Sequence, residues 1–318
     1  MGTSKQLNFI RPVFFTGFLL VLAIILFPGK LSAQLVTSGT VTNAFIRNQY
    51  IHAGFNHYGC YGSTLNAPAG YVRGPNQGGT PGGQANLLGF VACPSGNWSN
   101  HSGIYGDYIL PGEIYDGFSV VLTPQGGSRQ IYVNDRARAV NANQIQPRSP
   151  HFTYNSASGV YDDLTWHGRV AGLFDIDCRY EMNGPRIIHY TTITNTSTVT
   201  LNNVHFTRGM DPDQESGLGG ASTPNTYNVI ESQGTGTPGV PAWVAAYGFY
   251  TPAMIAYYCG NPNSRVAVSG LASSGWRRLL NNPEWGFDAI DYSGTATSLF
   301  KAVGQYSRTD ARDASIEI

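Results

Sequence analysis

The chain is 318 residues long, carries 19 Lys and Arg against 19 Asp and Glu, and has only 12% charged residues. That charged fraction is about half the usual one for a globular protein. A chain this neutral, with no basic block, is poorly suited to nucleic acid or an anionic membrane surface, both of which reward clustered Lys and Arg.

The amino terminus carries an export pattern. Lys5 and Arg11 precede an uncharged apolar run from Val13 to Phe27, Pro28 and Gly29 break it, and Leu31-Ser32-Ala33 offers the small residues that a signal peptidase reads. The run is shorter than the roughly 20 residues that a membrane-spanning helix needs. We therefore expect residues 1–33 to be a signal peptide and the product to be secreted or cell-surface associated, with no transmembrane span in the mature chain. Cleavage removes Lys5, Arg11 and Lys30 and no acid, so 19 basic residues become 16 against an unchanged 19 acidic ones.

Residues 34–318 read as one large β domain. Leu35 to Phe45 and Ile46 to Phe55 are rich in Val, Thr, Ile and Tyr, and predict strands. Gly62 to Gln84 is dense in Gly, Pro and Asn and predicts a long loop. Leu87 to Ala92 and Phe118 to Leu122 predict short buried strands. Val170 to Tyr180 predicts a strand that alternates from Leu173 onward: Phe174, Ile176, Cys178 and Tyr180 face one way, Asp175, Asp177, Arg179 and Glu181 the other. Arg186 to Thr194 is a further strand, and Val199 to Met210 follows at hairpin distance across Asn195-Thr196-Ser197. Val229 to Ser232, Trp243 to Tyr250, Ala253 to Cys259 and Arg265 to Leu271 add short strands. Thr295 to Val303 is the one stretch with a helical look. Asp313 to Ile318 reads as the opening of a strand, as if the chain were truncated there. Short strands, frequent turn residues and at most one short helix predict an all-β antiparallel β-sandwich.

The mature chain has an even cysteine count: Cys60, Cys93, Cys178 and Cys259. No CxxC or CxxH spacing points to zinc, and an exported chain favours disulfides. Three pairings are open; Cys60 with Cys93 and Cys178 with Cys259 is preferred, because each closes a loop within one half of the chain.

The most informative stretch runs from His189-Tyr190-Thr191-Thr192-Ile193-Thr194-Asn195-Thr196-Ser197 through Leu201-Asn202-Asn203-Val204-His205-Phe206-Thr207-Arg208-Gly209-Met210 into Asp211-Pro212-Asp213-Gln214-Glu215, followed by Thr226-Tyr227-Asn228-Val229. It resembles the supersandwich-type β domains of large exported bacterial surface proteins, in which a similar strand pair ends in Asp-Pro-Asp. The resemblance also takes in Leu88-Gly89-Phe90-Val91, Gly106-Asp107-Tyr108 and Asp313-Ala314-Ser315-Ile316, and so covers residues 87–318 in scattered form. It implies fold and compartment and supplies no catalytic mechanism.

Three residue sets compete for function. Asp211, Asp213 and Glu215 alternate directly after a strand, a spacing that suits the hard oxygen ligands of calcium, with carbonyls of Gly217 to Gly220 completing the shell; a solvated acidic turn is the competing reading. Asp175, Asp177 and Glu181 share a strand face, as paired catalytic carboxylates would, but Arg179 shares it too and favours a face laced with ion pairs. Trp243, Tyr247 and Tyr250 suit stacking on sugar rings, against the alternative that they fill the core. No HExxH, GxSxG or GxxxxGK pattern occurs, so no catalytic residue is assigned. The expected function is a non-enzymatic secreted or cell-surface module in adhesion or surface assembly, meeting an extracellular protein or glycan surface. A carbohydrate-binding or carbohydrate-active domain and a calcium-stabilised structural module are the alternatives.

Overall fold

Residues 34–72, 87–99, 107–109, 116–135, 143–155, 163–212, 226–248, 251–270, 299–300, 303 and 314–318 are described by the structure, a computed structural model. The expected signal segment lies outside them. Among the described residues there are 17 strands and no helix, and every strand pairing is antiparallel. No helix among them is long and apolar enough to cross a membrane.

Four sheets share the strands. β1 (Gln34–Ser38), β2 (Val41–Arg47), β3 (Ile51–Phe55) and β4 (Phe90–Ala92) form a meander in chain order. A second meander holds β7 (Gln146–Tyr154), β8 (Asp163–Val170), β9 (Phe174–Asn183) and β10 (Arg186–Asn195). The third sheet is six-stranded and mixes distant segments: β16 (Leu299–Phe300), β15 (Ala267–Gly270), β17 (Ala314–Glu317), β11 (Leu201–Met210), β5 (Asp116–Pro124) and β6 (Gln130–Asp135), in that spatial order. The fourth holds β12 (Thr226–Ser232), β13 (Ala242–Gly248) and β14 (Met254–Cys259). The architecture is an antiparallel β-sandwich type, as the sequence pattern predicts. Within the stretch with a helical look, Leu299 and Phe300 are strand instead.

β9 shows why the pattern folds this way. Its burial alternates residue by residue, with Phe174, Ile176, Cys178 and Tyr180 buried and the acids and Arg179 between them partly exposed. A two-residue turn, with Gly184 at φ 59°, joins it to β10 in unbroken register from Arg186↔Asn183 to Asn195↔Phe174; only glycine adopts that φ without strain. β10 and β11 are not the hairpin that their spacing suggests. The Thr196 N–H bonds to the Leu173 carbonyl while the Thr200 carbonyl accepts from the Gln125 N–H. The connection is therefore pulled to a different sheet at each end, and β11 pairs with β5 and β17.

One core unites the sheets: Ile46, Phe118, Trp166, Ile176, Val244 and Val268 belong to it and are each fully buried. Trp166 is fixed at its centre, donating its indole N–H to the His57 carbonyl at 3.0 Å and meeting the Phe118 ring edge-on. A smaller cluster around Phe45, Leu88, Val91 and Cys93 sits beside the first sheet.

The expected disulfides are not formed; all four cysteines are free thiols. The core geometry explains this correction. Cys60 lies in the main core, 3.5 Å from the Asn134 carbonyl, whereas Cys93 belongs to the smaller cluster beside Ser95. Cys178 points inward from the middle of β9, opposite Trp166 and Thr191, while Cys259 ends β14 and accepts from the Ser264 hydroxyl at 3.0 Å. Each thiol packs where its own segment of chain places it, and burial pushes that of Cys178 up to about 12.

Buried histidines give the fold a pH dependence. His52 accepts the Val72 N–H at Nδ1, stacks on Trp98 at 4.0 Å, and burial beside Arg47 pulls it down to about 3. His57 and His189 are lowered as well, chiefly by burial, the first also by His151 and the second by Arg208. In the unfolded chain each takes up its proton near the ordinary value of about 6.5. The stability that His52 contributes is thus complete above that pH and is lost as pH falls from there towards about 3, at about 1.4 kcal/mol per pH unit, and His57 and His189 act in the same direction. Asp116, raised to about 6, opposes this between its folded and unfolded values. Urea unfolding should show stability falling with acidification below about pH 6.5, and His52→Gln should flatten the slope. A slope indifferent to that substitution would remove His52 from the account.

Candidate functional site

Three groupings gather polar or aromatic side chains in a way that invites function. The first is buried. Arg208 on β11 and Asp116 on β5 are 3% and 0% exposed, and the Arg208 Nη2 donates to Asp116 Oδ2 at 2.6 Å. The same oxygen accepts the Tyr61 N–H at 2.6 Å, and Arg208 Nη1 donates to the Tyr180 hydroxyl at 3.0 Å. The guanidinium also lies over the rings of Tyr61 and Tyr180, 4.9 and 5.3 Å from their centroids. The Tyr61 hydroxyl and His189 Nε2 are 2.7 Å apart. Burial lifts the Asp116 carboxyl to about 6 although Arg208 and the Tyr61 amide pull it down, and burial lifts the Tyr180 hydroxyl far above its ordinary range. Such shifts often mark active sites, but here both members of the ion pair are buried. The centre ties β3's following turn, β5, β9, β10 and β11 together.

The second grouping is the solvent face of the β7–β10 sheet, where Asp175, Asp177 and Glu181 stand. Each acid is matched to a base. Arg169 grips Asp175 through two bonds of 2.7 and 3.1 Å, Arg148 donates to Asp177 at 2.8 Å, and Arg179 reaches Asp163 and Glu181. His167 bridges the Thr153 hydroxyl at 2.8 Å and Asp177 at 2.6 Å. A hydroxyl, an imidazole and a carboxylate in series resemble a nucleophile's relay. However, Arg148 occupies the same Asp177 oxygen and comes within 3.4 Å of the imidazole. The chain ends as one rung of an ion-paired ladder, which is the arrangement that Arg179 among the acids foretells. The rows Arg169–Asp175, His167–Asp177 and Asp163–Glu181 are directly opposed across β8 and β9. Arg148 and Thr153 were beyond sequence reasoning, because β7 contains Pro147 and Pro150 and does not read as a strand, and their partner His167 sits on β8.

The third grouping is the outer face of β12–β14. Register puts Tyr227, Tyr247 and Met254 in one row, Val229, Ala245 and Ala256 in the next, and Ser232, Trp243 and Tyr258 in the third, past a bulge in β12. Their neighbours on the other face, among them Ile230, Val244 and Tyr257, belong to the main core. Trp243 and Tyr247 thus stand on the same face of the sheet, with the buried Val229 and Ala245 in the row between them. Tyr258 is 67% and Met254 47% exposed, and Trp243 and Tyr247 are half-buried. The Tyr247 hydroxyl donates to Glu231 at 2.6 Å, whereas the Trp243 N–H finds no acceptor among the described residues. Packing alone therefore sets that ring's orientation.

Comparison with protein-family models, curated proteins and solved structures finds no match.

The remaining expected site residues divide. Asp211 sits at the end of β11, 2% exposed, while Asp213, Glu215 and Tyr250 lie outside the described residues. Among those described, no three His, Cys, Asp or Glu side chains gather as a metal site would require.

Proposed function

We propose that this chain is a non-enzymatic β-sandwich contact module of a secreted or cell-surface assembly, acting in adhesion through the outer face of β12–β14. The observation that carries this reading is the aromatic face itself: Tyr258, Met254, Trp243 and Tyr247 project from a sheet whose opposite side is already committed to the core. Large amphipathic rings at a surface give contact area at little entropic cost and are enriched where proteins meet partners. The export pattern of residues 1–33 and the resemblance to exported surface domains support the same compartment.

Carbohydrate is the second reading, and a specific observation favours it. Trp243 and Tyr258 are direct cross-strand neighbours, and two rows away the Tyr247 hydroxyl already pairs with the Glu231 carboxylate. A sugar ring offers the same two needs, a C–H face to stack and hydroxyls to bond.

The test is binding of residues 34–318 to a glycan array and to immobilised extracellular proteins. Tyr258→Ala should weaken capture at least tenfold and leave unfolding within about 0.5 kcal/mol, as exposed substitutions do. Capture by glycans without turnover selects the carbohydrate reading, and capture by protein selects adhesion to protein. Capture that ignores both Tyr258→Ala and Trp243→Ala rejects this face.

A further inference from the structure

We infer that β10 is a self-association edge, through which two copies of this chain pair antiparallel and extend the β7–β10 sheet across a two-fold axis. The inference does not depend on what the β12–β14 face binds.

The two edges of this sheet are treated differently. At one edge, β7 carries Pro147 and Pro150, and its register with β8 breaks between Pro147 and Phe152. Prolines and bulges are the devices by which sheets prevent further strands from adding. At the other edge, β10 has none of them. Its sequence Arg-Ile-Ile-His-Tyr-Thr-Thr-Ile-Thr-Asn contains no proline and no lysine, and all ten residues are in regular register with β9. Among the described residues no strand pairs with its other side. Much of the strand is also open to solvent: Arg186, Tyr190, Thr191, Thr192, Thr194 and Asn195 are exposed, including Thr191, which faces the core side of the sheet. A ten-residue edge spans roughly 34 Å at 3.4 Å per residue, rich in the β-branched and aromatic residues that pair best.

Charge selects the occupant. The single charge on β10 is Arg186 at its first position. Antiparallel pairing of two copies sends the two arginines to opposite ends, so no like charges meet. A register centred on Tyr190 sets Ile187 of one copy against Ile193 of the other and Ile188 against Thr192, which keeps each residue on its own face of the sheet. Beyond the strand, an open depression of about 560 Å³ is lined by Ile193, Asn195, Val199, Leu201 and Val204. Val199 and Val204 are 39% and 42% exposed, and Tyr190 is 46% exposed. These apolar groups border the place where the second copy's β10 would begin. Because β7 is protected, the joined sheet ends in a guarded edge on both sides, and association stops at a dimer rather than continuing as a fibre.

The experiment is sedimentation velocity on residues 34–318 over a concentration series, with amide hydrogen exchange at both ends of the series. The wild-type chain should dimerise, with amides of β10 becoming more protected as concentration rises. Thr192→Lys puts a charge on the edge beside Asp177; it should retain the wild-type circular dichroism and melting curve and dimerise at least tenfold more weakly. A wild-type chain that stays monomeric throughout overturns the inference and leaves the edge to a strand of another protein. A dimer that survives Thr192→Lys, or forms without protecting β10, overturns it too, since its contact then lies elsewhere.

Discussion

Arg208→Met is expected to lower the free energy of unfolding by about 3–5 kcal/mol, the range seen when one partner of a buried ion pair is removed. The substitution keeps most of the side chain's volume, so the loss is electrostatic rather than a cavity effect. It leaves Asp116 fully buried, with backbone amides but no cation to balance its charge. It also takes the cation from between the Tyr61, Tyr180 and Phe118 rings and the donor from the Tyr180 hydroxyl. Burial then acts on Asp116 without Arg208 to counter it, so the carboxyl protonates at higher pH than the value near 6 it has beside the guanidinium. Protonation removes the uncompensated charge, and the deficit relative to wild type should shrink in acid. Combining Arg208→Met with Asp116→Leu should cost clearly less than the two single losses added, because the pair acts as a unit. Urea unfolding at neutral and acidic pH measures all three quantities. A single variant within about 1 kcal/mol of wild type would show that the pair does not hold the sheets together.

How far the sequence could anticipate this depends on the range of each signal. β9 was legible because one face meets the core and the other meets water, so its alternation is written residue by residue. β17 was legible from Ala314-Ser315-Ile316, although nothing local tells that it enters the middle of a six-stranded sheet. β6, β7 and β8 were missed: β7 has two prolines, and β8 spends His167, Arg169 and Gly168 around one buried tryptophan. The hairpin expected between β10 and β11 failed because spacing cannot say which sheet accepts the returning strand. The disulfides failed for a related reason, since compartment favours pairing but only the fold says whether two thiols meet. An arginine between Phe206 and Met210, at the buried end of β11, asks for a buried partner. Asp116 stands 92 positions away, and only the topology joins them. On the β12–β14 face the aromatic residues could be named from sequence, but whether they turned inward or outward required the register.

Ile316→Ala is expected to cost about 2–5 kcal/mol, at the upper end for so small a change, and ending the chain before Ala314 should cost more. Ile316 is fully buried in the main core. Its strand is wedged between two others: Ile316 pairs with Met210 on one side and Val268 on the other, and Glu317 with Gly209 and Ala267. Ile318 adds two reciprocal backbone bonds with Arg208, each 2.8 Å. The last strand thus supports the backbone of the very residue whose side chain holds the buried ion pair. Without β17, β11 and β15 lose their common neighbour, and the β12–β14 sheet loses part of what its inner face packs on. Water then reaches the carbonyl and amide of Arg208, and the penalty extends to the ion pair. The two losses should accordingly be coupled: Arg208→Met should cost less in the truncated chain than in the full one. Additive losses would show instead that β17 and the buried pair stabilise separate parts of the molecule. Amide exchange distinguishes the cases directly, because coupling predicts that truncation deprotects β11 and β5 together, while independence confines the change to β15 and the β11 edge.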